Sequence, residues 1–200
     1  MIHVYKEGKS KKPVFLLLHG TGGNERDLIP LANLIDPEAT LLGVRGNVTE
    51  NGMPRFFRRL AEGVFDEEDL IQRTEELQAF LSEAAEKYSF DRENILAIGF
   101  SNGANIAGSL LFHYEKALKG AMLLHPMVPR RGIDLPNLKY TPVFIGAGKQ
   151  DPLVPQSETL ELADLLKNAG ASVDLHWENG GHQLTHSELQ AAKAWYEKVK

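Results

Sequence analysis

Asn94-Ile95-Leu96-Ala97-Ile98-Gly99-Phe100-Ser101-Asn102-Gly103-Ala104-Asn105-Ile106-Ala107 is the stretch on which the fold turns. An apolar run, a five-residue turn of the form G-x-S-x-G and a helical pattern follow one another, which predicts strand, sharp bend and helix. To expose a serine between strand and helix, the backbone must bend steeply and hold Ser101 under strain. Side chains at the two flanking positions would collide with the neighbouring strand and helix, and glycine stands at 99 and 103. Ser101 then sits at a helix N-terminus, whose free N–H groups can receive developing negative charge. A glycine-rich turn with an incidental serine would carry the same letters. The rest of the chain decides between them.

Working outward, Pro13 to Leu18, Thr40 to Val44, Gly120 to Leu124 and Pro142 to Gly146 are further apolar runs. Continuous apolar runs mark strands buried on both faces of a parallel sheet. Ile2 to Tyr5 reads as a short edge strand, and Ser172 to Trp177 alternates, as a strand nearer an edge does. Helices fall between these runs. Leu28, Leu31, Leu34 and Ile35 mark the first, with Pro30 in its first turn. Asp66 is an N-cap followed by Glu67, Glu68 and Asp69, and Leu70, Thr74, Leu77, Leu81, Ala84 and Tyr88 share one face of the second. Another helix runs from Pro155 to Ala169 and stops at Gly170. Thr185-His186-Ser187-Glu188 is a capping box opening the last helix, through Ala192, Trp195 and Val199. Strand and helix alternate from end to end, which predicts a single α/β domain over residues 1–200 with a mostly parallel central sheet flanked by helices.

Bulk properties narrow the function. Two hundred residues suffice for one core and are too few for two comfortable ones. With 42% hydrophobic and 24% charged residues, the chain is globular rather than disordered. A net charge of -5 gives no electrostatic footprint for nucleic acid. No run reaches the ~18 apolar residues of a membrane span. Met1 to Lys6 lacks the apolar stretch of a signal peptide, so a cytoplasmic location is expected. The absence of cysteine excludes disulfides, zinc–thiolate sites and a cysteine nucleophile.

In such a sheet, chemistry gathers in the loops beyond the strand C-termini. Four of those loops carry reactive residues: His19-Gly20-Thr21-Gly22-Gly23, the Ser101 turn, Gly146 to Pro152, and Asn179-Gly180-Gly181-His182. A serine hydroxyl needs a base within hydrogen-bond reach, and the base needs an orienting acid. His182 is the expected base and Asp151 the expected acid; His186 and Asp174 are the weaker choices, one in a helical turn and the other inside a strand. His125 follows another strand, where it either lines the site or packs through hydrogen bonds. Two N–H donors are needed for the oxyanion of acyl transfer. Asn102, after the nucleophile, supplies one, and Thr21, between glycines, supplies the other. None of the seven histidines stands in a metal-ligand pattern, so no metal and no cofactor is expected.

The runs HGTGGNERD, GFSNGA, GAGKQDPLVP and GGHQL, with the order Ser101, Asp151, His182, resemble the phospholipase/carboxylesterase family of small α/β-hydrolases, which includes acyl-protein thioesterases. The stretch GVRGNVTENGMPRFFRRLAEGVFDEEDL is similar to the bacterial carboxylesterase branch, in particular a hydrolase linked to resistance against hydroquinones. The resemblance implies an α/β-hydrolase fold, Ser101, Asp151 and His182 as triad, and Thr21 and Asn102 as oxyanion donors. The thioesterase branch usually has HGLG and S-Q-G-G, where this chain has Thr21, Asn102 and Ala104. The expected activity is that of a serine carboxylesterase. A thioesterase or lysophospholipase on the same triad, or a hydrolase-fold binding protein, is the alternative.

Specificity is less legible. Arg45 to Asp66 carries Met53, Phe56, Phe57 and Phe65, which form either an apolar acyl pocket or a packing surface. Met127 is a further candidate for the pocket wall. Arg55, Arg58 and Arg59 either hold an anionic part of the substrate or form a solvated face. Neither Arg45–Asp66 nor Met127–Tyr140 is long enough for a large lid, so a small or short-chain ester is the expected partner. A homodimer is left open, and no nucleic-acid or membrane partner is expected.

Overall fold

Seven strands form one sheet in the order β1-β3-β2-β8-β9-β10-β11 in a computed structural model that describes residues 1–9 and 12–200. They are β1 (His3–Lys6), β2 (Val14–Leu18), β3 (Thr40–Val44), β8 (Ile95–Phe100), β9 (Gly120–Leu124), β10 (Pro142–Gly148) and β11 (Ser172–Glu178). Only β1 runs antiparallel, pairing His3 with Val44 on β3. The other pairings are parallel, Leu18 facing Gly99 across β2 and β8, and Gly148 facing Glu178 across β10 and β11. The sequence expectation of an α/β-hydrolase fold with a mostly parallel sheet holds.

The continuous apolar runs follow from two buried faces. On β2, Val14, Leu16 and Leu18 point into one core layer, Phe15 and Leu17 into the other. The first layer is closed by α2 (Glu67–Tyr88), α3 (Asn102–His113) and α4 (Gln156–Asn168), through residues such as Leu77, Leu110 and Leu162. The second is closed by α1 (Ile29–Ile35) and α5 (His186–Val199), through Leu31, Ile35, Trp195 and Tyr196. The Asp66 cap forms as expected, its side chain accepting from the Asp69 N–H.

Three expectations need correction. Leu34 is 55% exposed rather than part of the apolar stripe of α1. At ~100° per residue, Leu28, Leu31, Ala32 and Ile35 fill an arc of ~100°, and Leu34 falls ~60° outside it. The stretch from Arg45 to Asp66 is not a plain loop: it holds two small hairpins, β4 (Val48–Glu50) with β5 (Met53–Arg55) and β6 (Arg59–Ala61) with β7 (Val64–Phe65). The capping box at Thr185 is half formed. Thr185 Oγ1 accepts from the Glu188 N–H at 3.1 Å, but the Glu188 side chain turns into the core.

Candidate active site

The bend at Ser101 has the strain that the sequence demanded. Its φ of 51° and ψ of -115° lie where side-chain-bearing residues are rarely found. Hydrogen bonds hold it there: the Ser101 N–H donates to Leu124 O at 2.9 Å, and Ser101 O accepts from Asn105 N at 3.0 Å. A Cβ at residue 103 would overlap the Leu18 carbonyl, and one at residue 99 the Gly103 carbonyl. Glycine at both positions is what lets strand, bend and helix pack together.

The loops after β8, β10 and β11 then bring three side chains into line. The Ser101 hydroxyl lies 2.8 Å from His182 Nε2, and His182 Nδ1 lies 2.7 Å from Asp151 Oδ2. A carboxylate can only accept, so Nδ1 carries the proton and Nε2 is free to accept from serine. Asp151 is fixed in turn, its Oδ1 accepting from the backbone N–H groups of Leu153 and Val154 at 2.8 and 3.1 Å. Burial pushes its carboxyl up, but hydrogen bonds from His182, the Leu153 N–H and His125 outweigh this and hold it below the usual range. The weaker candidates lie elsewhere: His186 is exposed and pairs with Gln190, and Asp174 is exposed on β11. His125 does line the site, with Nδ1 3.0 Å from the same Asp151 oxygen.

The donors expected for an oxyanion are unspent. In the loop after β2, the Gly22 and Gly23 N–H groups donate to Pro54 O and Gly20 O. Those of Thr21 and Asn102 have no protein acceptor among the described residues. Side-chain roles not read from sequence shape this corner. His19 is buried, donating from Nδ1 to Gly20 O at 2.6 Å and accepting at Nε2 from the Gly46 N–H at 3.0 Å. Burial lowers its pKa, and the neutral ring serves as a strut. Asn102 Oδ1 accepts from the Phe56 N–H at 2.7 Å, and Asn105 Oδ1 from the Met127 N–H at 2.8 Å. Both asparagines follow the nucleophile within one helical turn, which was the available signal.

A cavity of about 270 Å³ opens over Ser101. Its apolar wall is Phe65, Phe100, Met127, Leu153 and Val154. Phe65 and Met127 therefore line this cavity, and Met53, Phe56 and Phe57 do not. Phe56 and Phe57 are 2% and 0% exposed and pack inward, Phe56 on His19 and Phe57 on Phe65. Met53 is 40% exposed and rests against Gly22. Of the arginines, Arg58 faces away toward Asp66 and Asp69. Arg55 and Arg59 line the cavity, yet both pair with Glu50, and Arg55 also donates to Thr21 Oγ1 at 3.0 Å. With Glu62 on the same wall, the positive charge is balanced.

His125, Asp151 and His182 place three potential metal-ligating atoms within 4.8 Å of one another. Their contacts of 2.7 and 3.0 Å are hydrogen-bond spacings, tighter than the ~3.3 Å between ligands at ~2.0–2.1 Å in a tetrahedron.

Comparison with known proteins places this geometry. The family model for Phospholipase/Carboxylesterase matches residues 1–200. MhqD of Bacillus subtilis (strain 168) is 60% identical over 199 residues, covering 100% of this chain and 99% of that protein. A Bacillus cereus carboxylesterase of known structure superposes with a TM-score of 0.98 at 66% identity, over 99% of this chain and 94% of that one. YahD, solved with malic acid, superposes with a TM-score of 0.95 at 32% identity, over 100% and 99%.

Proposed function

The chain belongs to the phospholipase/carboxylesterase family, and we propose that within it this protein is a serine carboxylesterase acting on small or short-chain esters through an acyl-enzyme. The observation that carries the reading is the unbroken line from Ser101 Oγ to His182 to Asp151, at 2.8 and 2.7 Å. As Ser101 Oγ attacks the ester carbonyl carbon, His182 Nε2 takes its proton and the C=O electron pair moves onto oxygen. The Thr21 and Asn102 N–H groups receive that oxyanion, already oriented and unspent. The imidazolium, stabilised by Asp151, then protonates the leaving alcohol oxygen as the C–O bond breaks. Water enters by the same sequence, its proton passing to His182, and releases the acid and the free Ser101 hydroxyl.

The cavity supports the size class. Drug-sized ligands fill about 300–1,000 Å³, and about 270 Å³ suits a short acyl group or a compact alcohol. Two measurements test the reading. A fluorophosphonate should add once, at Ser101, located by intact mass and peptide mapping, and labelling that persists in Ser101→Ala ends the assignment. Among p-nitrophenyl esters, acetate and butyrate should be cleaved faster than octanoate and palmitate. Ser101→Ala should lower kcat by at least about 10⁴-fold.

A further inference from the structure

We propose that Glu188 and His125 form a buried charge pair behind the triad, in which Glu188 keeps His125 doubly protonated and His125 competes with His182 for Asp151. The inference deepens the serine-hydrolase reading and rests on it for its catalytic meaning.

The geometry begins with a residue in an uncommon conformation. His125 follows β9 with a φ of 54°, although it is not glycine. Its backbone N–H donates to Gly146 O at 2.7 Å, which points the imidazole at the site. The ring is 0% exposed, with Nδ1 3.0 Å from Asp151 Oδ2 and Nε2 3.4 Å from Glu188 Oε2. Glu188 is also 0% exposed, and its carboxylate oxygens have no hydrogen-bond partner among the described residues. His125 Nε2 is the cation-forming group it faces. The carboxylate fits because residue 146 is glycine, since a Cβ there would overlap it. The glutamate of a capping box ordinarily turns back to its own helix N-terminus, and this one is committed to His125 instead.

Counting protons gives the charge state. Asp151 Oδ2 faces the Nδ1 atoms of both His182 and His125, and a carboxylate only accepts. His125 therefore presents Nδ1–H to Asp151. Its Nε2 then faces Glu188 in a dry site, where two bare lone pairs would repel, so a second ring proton belongs there. Burial by itself would lower the pKa of His125, but Glu188 and Asp151 outweigh it and raise the value. The other groups facing this ring are His182, with ring centres 5.2 Å apart, and Phe100 at 5.8 Å. Arg55, Arg59 and Glu62 line the shared cavity.

Asp151 is thus flanked by a resident cation on one side and by His182 on the other. The cation competes for the Asp151 oxygen on which His182 also relies, and so tunes how firmly Asp151 holds the base. His125 and Glu188 act through Asp151, as positioning residues.

The deciding variant is the pair His125→Asn with Glu188→Gln. Asparagine tolerates the left-handed backbone and offers an N–H where Nδ1 was, and the two amides leave no bare buried charge. Long-range ¹⁵N–¹H spectra of the native protein should show both His125 ring nitrogens protonated at pH 7, and Glu188→Gln should lose the Nε2 proton. The acid limb of kcat/KM should move to higher pH in the double variant, so that activity at pH 6, relative to each protein's own plateau, falls by up to about tenfold against the native protein. A singly protonated His125 at pH 7 in the native protein overturns the inference even if no variant folds. So does an unchanged acid limb of kcat/KM in a folded double variant. A native protein inert toward esters would remove the serine-hydrolase reading, while the ring-proton spectra judge the pair independently.

Discussion

Asn102 contributes twice to one small region: its backbone N–H is unspent beside Ser101, and its side chain accepts from the Phe56 N–H at 2.7 Å. The first contribution was legible because any residue after the nucleophile offers it. The second was not, because a bond between residues 46 apart leaves no periodic trace in sequence. The same holds for His19, whose role as a neutral strut depends on where Gly46 falls. Ser101, Asp151 and His182 were readable for the opposite reason, since their chemistry fixes residue type and the sheet fixes which loops can meet. Asn102→Ala separates the two roles. It should cost about 1–3 kcal/mol in urea unfolding by leaving the buried Phe56 N–H unpartnered. Fluorophosphonate should still label Ser101, because the backbone donor is kept. A variant as stable as the native protein would show that the side chain anchors nothing.

At the scale of elements, Arg45–Asp66 was the hardest segment to read. Its strands are two or three residues long, too short for alternation to register. The turn chemistry was the available signal: Asn51 and Gly52, with φ of 52° and 79°, make an Asn-Gly hairpin turn between β4 and β5. Those hairpins place the phenylalanines, because Phe56 and Phe57 follow β5 and are buried in the core. Phe57→Ala should therefore destabilise by about 3–5 kcal/mol and depress all substrates together. Met127→Ala, on the cavity wall, should instead alter the ratio of kcat/KM between acetate and octanoate esters by roughly 10- to 200-fold. Melting temperatures of both variants complete the comparison. A changed ester ratio in Phe57→Ala with native stability would return that residue to the pocket.

Across the whole molecule, the sheet was legible because burial on both faces writes uninterrupted apolar runs. The joins between layers were not. Asp36, at the end of α1, accepts from Tyr196 on α5 and from Lys12, both at 2.8 Å. Burial would raise its carboxyl, but bonds from Lys12, Tyr196 and the Glu38 N–H hold it below the usual range. A carboxyl depressed on folding stabilises above its unfolded value of about 3.9, and that stability is lost as pH falls through the folded value. Melting temperature should thus decline below about pH 4, with Asp151 contributing to the same window. Asp36→Asn should start from a lower plateau and decline less steeply, and an identical profile would remove Asp36 from the account. The strand order has a consequence of another kind. Ser101 leaves β8, the central strand of the seven, whereas His182 and Glu188 both follow β11, an edge strand. Chain termini are among the segments that open at least cost, below that of global unfolding. Local opening of the C-terminal quarter of the chain would therefore carry the base away from Ser101 while the rest stays folded.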